Sequence, residues 1–148
     1  MLVLASLAGV LILVAISWLA GGMQDAALHT AEDAQAQARV DHPNFAAERV
    51  LLGRDRRAAL VADERGAALM AITTLGDRFV TRRLRPGSLQ GAAVTDDGRA
   101  GRALVLTTSD LTCRTISIAL DPAGDAADDL DFWLAASRRL VTSSHHGD

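Results

Sequence analysis

From Ala58 to Leu120 no apolar run is long enough to make a helix of ordinary length, and turn residues follow each run. The runs are Ala58–Ala62, Ala67–Thr74, Arg78–Arg85, Leu89–Thr95, Ala103–Thr108 and Thr112–Leu120. The breaks are Asp63-Glu64-Arg65-Gly66, Leu75-Gly76-Asp77, Pro86-Gly87, Asp96-Asp97-Gly98, Ser109-Asp110 and Asp121-Pro122. Short runs with Gly, Pro and Asp between them predict antiparallel strands joined by tight turns. The last run is the clearest. Arg114, Ile116, Ile118 and Leu120 alternate with Cys113, Thr115, Ser117 and Ala119, the period of a half-buried strand. A helix is expected next. Asp125 suits its N-cap, and Asp128 and Asp129 suit the positive end of its dipole. Leu130, Trp133, Leu134, Ser137, Leu140 and Val141 fall on one stripe, with Arg138 and Arg139 near the C-terminal end.

The N-terminus carries a different signal. Met1 to Met23 has no charged side chain, and Ser6 and Ser17 are the polar residues between Leu2 and Ala20. A helix of that length rises roughly 30 Å, the thickness of bilayer hydrocarbon, and Trp18 would sit at headgroup level. This predicts a transmembrane helix over 1–23. A cleaved signal peptide is the rival reading, but it would want a basic n-region, which the chain lacks. Ala5 and Gly9 form a small-xxx-small pair that could pack membrane helices. Gln24 to Val40 is rich in Ala, Gln and Asp, and Asp41-His42-Pro43-Asn44 stops it; a helical stalk is expected over 24–48. Its nearly all-Ala stripe buries little area, so it needs outside support, which hints at a partner. Arg39 on the C-terminal flank favours a cytoplasmic soluble part.

The expected fold is therefore α+β: a transmembrane helix over 1–23, a stalk over 24–48, a β-rich domain over 49–141 and a tail over 142–148. The domain is expected to be an antiparallel β-meander or roll of about six strands closed by a C-terminal amphipathic helix.

Composition removes several chemistries. The 148 residues include 28 Ala, 15 Arg, no Lys, no Tyr and one Cys. Schiff-base and phosphate-loop lysines, tyrosine acid–base chemistry, intrachain disulfides and Cys-rich zinc sites are all excluded. No phosphate loop, dinucleotide fingerprint, HExxH or GxSxG is present. Gly87-Ser88-Leu89-Gln90-Gly91 has its Ser at the wrong offset for a nucleophile elbow. His29 and His42 fall on the expected stalk and its stop, and His145-His146 fall in the tail. Cys113 has no His in the strand region to activate it. Asp96-Asp97 and Asp128-Asp129 suit a turn and a helix start rather than catalysis. The sequence thus assigns no catalytic, cofactor-binding or metal-ligating residue.

Charge is segregated. Residues 49–102 hold eleven Arg and six acids, net +5, while 24–48 hold five acids and one Arg, net −4, and 121–148 hold six acids and two Arg, net −4. Within the basic block, Arg78, Arg82, Arg83 and Arg85 fall on one expected strand and are candidates to contact an anionic ligand. Strand parity splits them, with Arg83 and Arg85 beside Phe79 and Thr81, and Arg82 beside Val80 and Leu84. An edge strand guarded by charge is the plainer reading. Nucleic acid is not expected, since the net charge is −3 and Phe79 is the one aromatic of the basic block.

The order of elements from Arg54 to Val141 resembles the pleckstrin-homology-like roll, in which a helix plugs one end of a bent sheet. Val50-Leu51-Leu52-Gly53-Arg54-Asp55, Ala58-Ala59-Leu60-Val61 and Gly76-Asp77-Arg78-Phe79-Val80 are similar to segments of a group of uncharacterised single-span membrane proteins of GC-rich alphaproteobacteria. That resemblance implies a single-pass protein of the bacterial inner membrane and no particular activity. The expected function is non-enzymatic: an accessory subunit or assembly factor of a membrane protein complex, with the lipid bilayer and another membrane protein as partners. The alternative is a membrane-tethered module that senses a ligand or lipid.

Overall fold

The computed structural model describes residues 9–16, 26–96, 101–121 and 126–142. Among the described residues the chain is α+β, with three helices and two antiparallel sheets. A helical segment over 9–16 (α1) comes first, then α2 (Ala31–Asp41). Seven strands follow: β1 (Arg49–Leu52), β2 (Ala58–Ala62), β3 (Leu69–Leu75), β4 (Arg78–Leu84), β5 (Leu89–Asp96), β6 (Arg102–Thr108) and β7 (Thr115–Ala119). Helix α3 (Ala126–Thr142) ends the fold. The first four strands form one sheet in the order β1-β2-β3-β4, and the last three form another in the order β5-β6-β7.

Three expectations are corrected. The transmembrane helix over 1–23 is the first. Within that stretch the structure describes residues 9–16, which are helical. Among the described residues no helix is long and apolar enough to cross a membrane. The single-pass inner-membrane placement falls with that span. Trp18 and Ala5 lie outside the described residues.

The second correction concerns the stalk. Thr30 caps α2 by accepting from the Asp33 amide, and the Asp33 carboxylate accepts from the Thr30 amide in return, a reciprocal capping box. The alanine stripe then packs inward: Ala34 and Ala38 are fully buried with Leu28, Phe45, Ala59, Val61, Met70 and Ile72. The outside support that an all-Ala face needs comes from the chain's own first sheet, because small side chains let a helix sit close. The stalk's hint of a partner is withdrawn.

The third correction is the single meander of six strands. A seventh strand, β1, pairs with β2 through Arg49↔Ala62 to Leu52↔Ala59. The ladder also breaks after β4, so β5 pairs with β6 and not with β4. Splitting lets the two sheets face each other. Leu51, Leu60, Leu69 and Leu84 of the first meet Leu104, Leu106, Ile116 and Ile118 of the second.

Both faces of β2 are covered, one by the second sheet and one by α2, and all five of its residues are buried. Helix α3 closes the domain by inserting Leu130, Trp133, Ala136 and Leu140 into the inter-sheet core. Phe132 stands edge-on to Trp133 at 5.2 Å, and the Arg49 guanidinium lies 4.3 Å from the Phe132 ring centre while also reaching Asp129 at 3.2 Å. These contacts tie α3 to the edge of the first sheet.

One core position is poorly matched. Ser137 of α3 is fully buried, and its hydroxyl has no hydrogen-bond partner. An unsatisfied buried hydroxyl costs about 1–3 kcal/mol, while Ala is the better helix former. Ser137→Ala is therefore expected to raise unfolding stability by about 1 kcal/mol. Urea titration of the two proteins checks this, and an unchanged or lower midpoint contradicts it.

Candidate functional site

The sequence singles out the arginines of β4, and the fold sets their geometry. β4 is an edge strand, paired with β3 through Leu69↔Leu84, Met70↔Arg83 and Leu75↔Arg78. Parity separates Arg82 from Arg83. Leu84 points into the inter-sheet core, so Arg82 lies on that side of the strand and Arg83 on the other, while Arg85 falls one residue past the end of β4 and not on the strand expected to carry all four. Arg78 is fully at the surface by the β3–β4 turn, 3.9 Å from Asp77. At about 3.3 Å per residue it stands roughly 17 Å from Arg83 and does not join the others.

Arg82 crosses from the first sheet to the loop before β7, where it pairs with the Asp110 carboxylate and reaches Thr112 Oγ1 at 3.3 Å. Asp110 also accepts from the Thr112 amide at 2.8 Å and the Thr112 hydroxyl at 2.7 Å. The Thr112 hydrogen bonds, with Arg82 adding to them, hold the Asp110 carboxyl below its usual range. Arg82 therefore serves as a clasp between the two sheets.

A carboxyl lowered by folding contributes stability that is complete above its unfolded value and lost as pH falls through its folded value. Asp110→Asn is expected to lower the urea midpoint at pH 7, with the difference starting to shrink as pH falls through about 4 and vanishing only below the lowered folded value. Equal midpoints at pH 7 would remove the clasp from the account.

Two clefts flank the C-terminal end of β4. One, of about 230 Å³, is lined by Arg82, Arg83, Leu84, Ser88, Thr108 and Asp110, with Ile116 at its apolar side. Asp110 places a carboxylate in that cleft, which disfavours an anion. The other, of about 460 Å³, is lined by Ala67, Ala68, Arg83, Leu84, Arg85 and Pro86 and has no acid in its lining. Within the described residues no hydrogen bond or ion pair engages the Arg83 or Arg85 side chain.

Arg65 and Arg139, which the sequence reading did not single out, stand close by. The Arg139 guanidinium donates to the Arg65 carbonyl at 3.1 Å, and the Gly87 amide donates to the Leu140 carbonyl at 3.2 Å. The β2–β3 turn, the β4–β5 turn and the end of α3 thus meet at one basic corner. Nothing in one dimension joins Arg65 to Arg139; the signal would have been the expectation that α3 ends against those two turns.

The remaining candidates are dispersed. The His29 carbonyl accepts from the Arg56 guanidinium, and the His42 amide donates to the Ala38 carbonyl at the end of α2. Cys113 is half-buried at the margin of the inter-sheet core, and its thiol faces the Thr115 carbonyl at 3.8 Å. Asp129 is engaged by Arg49, while Asp97, Asp125, His145 and His146 lie outside the described residues. Of the pair Ala5 and Gly9, Gly9 is described, and a Cβ there would meet nothing within 4 Å. Among the described residues no three His, Cys, Asp or Glu side chains converge.

A second feature lies far from β4 in sequence. Val10, Leu11, Ile12, Leu13, Val14 and Ile16 of α1 are each 51–69% exposed. Comparison with known proteins finds no matching family model, no matching curated protein and no matching solved structure.

Proposed function

We propose that this protein is a non-enzymatic accessory or scaffold module that docks onto another protein. The observation that carries this reading is α1. Six large apolar side chains in seven consecutive positions stand exposed. Contiguous apolar surface of this kind marks an interaction site. The rest of the fold is self-sufficient. Both faces of the first sheet are covered, and α3 closes the second core. The 4+3 strand arrangement with a closing C-terminal helix supports the pleckstrin-homology-like reading of the domain, a scaffold that presents surfaces rather than a reaction centre.

The test is co-isolation of the full-length tagged protein beside Leu11→Asp/Leu13→Asp. The proposal expects a partner at fixed stoichiometry with the parent and its loss with the variant, whose domain remains folded by circular dichroism. Recovery of the chain without another protein contradicts it. A second reading, a ligand-sensing module, is favoured by one observation, the acid-free cleft beside Arg83 and Arg85.

A further inference from the structure

We infer that the free edge of β4 and the basic corner beside it form a docking site for an acidic peptide segment in extended conformation. This goes beyond the docking role of α1 and does not depend on it.

The backbone supplies the first half of the argument. β4 has a strand neighbour on one side, β3. An antiparallel edge strand directs about half of its amides and carbonyls away from that neighbour. Among the described residues no backbone or side-chain hydrogen bond outside the β3–β4 ladder reaches the main chain of 78–84. Such a row is a template for one more strand. The other edges differ. β1 is engaged through Arg49 with α3, β5 packs against α3, and the start of the β1–β2 turn donates from the Arg54 amide to the Ala119 carbonyl at the end of β7.

Charge supplies the second half. Arg83 lies near the end of β4 and Arg85 one residue past it, so the two stand side by side where the free edge ends. Both are exposed, and both line the cleft of about 460 Å³ whose other walls are Ala67, Ala68, Leu84 and Pro86. A strand carrying acids at alternate positions would set two carboxylates against two guanidinium forks, the pairing Arg makes best. The same arginines repel a basic or like-charged edge, so the guard on β4 becomes a selector. Phe79, the aromatic of this strand, packs toward α2, so no ring is offered for stacking nucleic-acid bases.

The test uses the full chain and a fluorescein-labelled octapeptide of alternating Glu and Val. The expected result is saturable binding that weakens with salt, as exposed ion pairs do. Arg83→Glu/Arg85→Glu is expected to weaken it by roughly tenfold or more, while Arg78→Glu on the same strand leaves it within about twofold. Methylating alternate peptide amides is expected to abolish binding, because it removes strand pairing and keeps the charge. Circular dichroism and urea midpoints verify that each variant is folded. No binding overturns the proposal. So does equal binding of the N-methylated peptide, or an equal loss with Arg78→Glu, either of which would mean undirected charge attraction. Tighter association with anionic vesicles than with the peptide, lost in the same double variant, would assign the corner to a lipid surface and overturn it as well. Since α1 is intact in every variant, failure here leaves the α1 reading standing.

Discussion

Trp133→Ala is expected to remove about 3–5 kcal/mol of unfolding stability, the range for deleting a buried Trp. Trp133 is 1% exposed and sits where α3 meets both sheets. Its removal takes the largest side chain from the inter-sheet core and leaves a cavity lined by Leu and Ile. It also strips Phe132 of its edge-on partner, and so weakens the Arg49 and Asp129 contacts that hold the same helix. Domains of this size hold about 5–15 kcal/mol in total, so the variant should be largely unfolded at moderate urea. Far-ultraviolet dichroism against urea measures the loss. A cost under about 1 kcal/mol would mean that α3 does not close the core.

Gly66→Ala is expected to cost about 3 kcal/mol, from two sources that can be separated. Gly66 adopts φ +63°, a left-handed conformation in which an L side chain is strained by roughly 1–2 kcal/mol. A Cβ at this turn would also stand 2.9 Å from Ala136 Cβ and 3.0 Å from Phe132 Cζ. The β2–β3 turn and α3 would then have to move apart, an overpacking cost of about 1–3 kcal/mol. Removing the Ala136 methyl relieves part of the second source and none of the first. In an Ala136→Gly background the Gly66→Ala penalty should therefore shrink by about 1 kcal/mol, a coupling that a double-mutant cycle reads directly. Additive penalties would show that the turn and the helix are not in contact.

Both effects rest on α3, which was legible in one dimension. Leu130, Trp133 and Leu140 repeat at helical spacing, and the structure buries all three. β7 was equally plain: Ile116 and Ile118 alternate with exposed Thr115 and Ser117 because one face of that strand meets the core and the other meets water. β1 was missed because Arg49–Leu52 is four residues long and shows no alternation to count. The burial of α2 was obscured for a different reason. An alanine face carries almost no hydrophobic signal, yet it packs well where a sheet is flat and close. The clue lay in the partner strand: Ala58-Ala59-Leu60-Val61-Ala62 is apolar at every position, the mark of a strand covered on both faces. Something had to cover the second face, and α2 was the element at hand.

Met1 to Met23 is apolar enough for a bilayer, yet among the described residues, which cover 9–16 of that stretch, no helix is long and apolar enough to cross one. At the site, the parity of Arg82 against Arg83 could be read from spacing alone, whereas the end of β4 before Arg85 could not. That Arg82 is engaged by Asp110 while Arg83 and Arg85 face an acid-free cleft could not, because the pairing spans 28 residues and two sheets.

The most direct test of the docking role is site-specific photocrosslinking from α1 in the full-length chain. A photoreactive residue at Leu13 should give a defined crosslinked product with one other protein. The same residue at Val40, an exposed apolar position of α2 on the folded domain, should not. A product from position 13 and none from position 40 is the predicted result. Equal products from both positions, or none from position 13, would contradict the reading of α1 as the docking element.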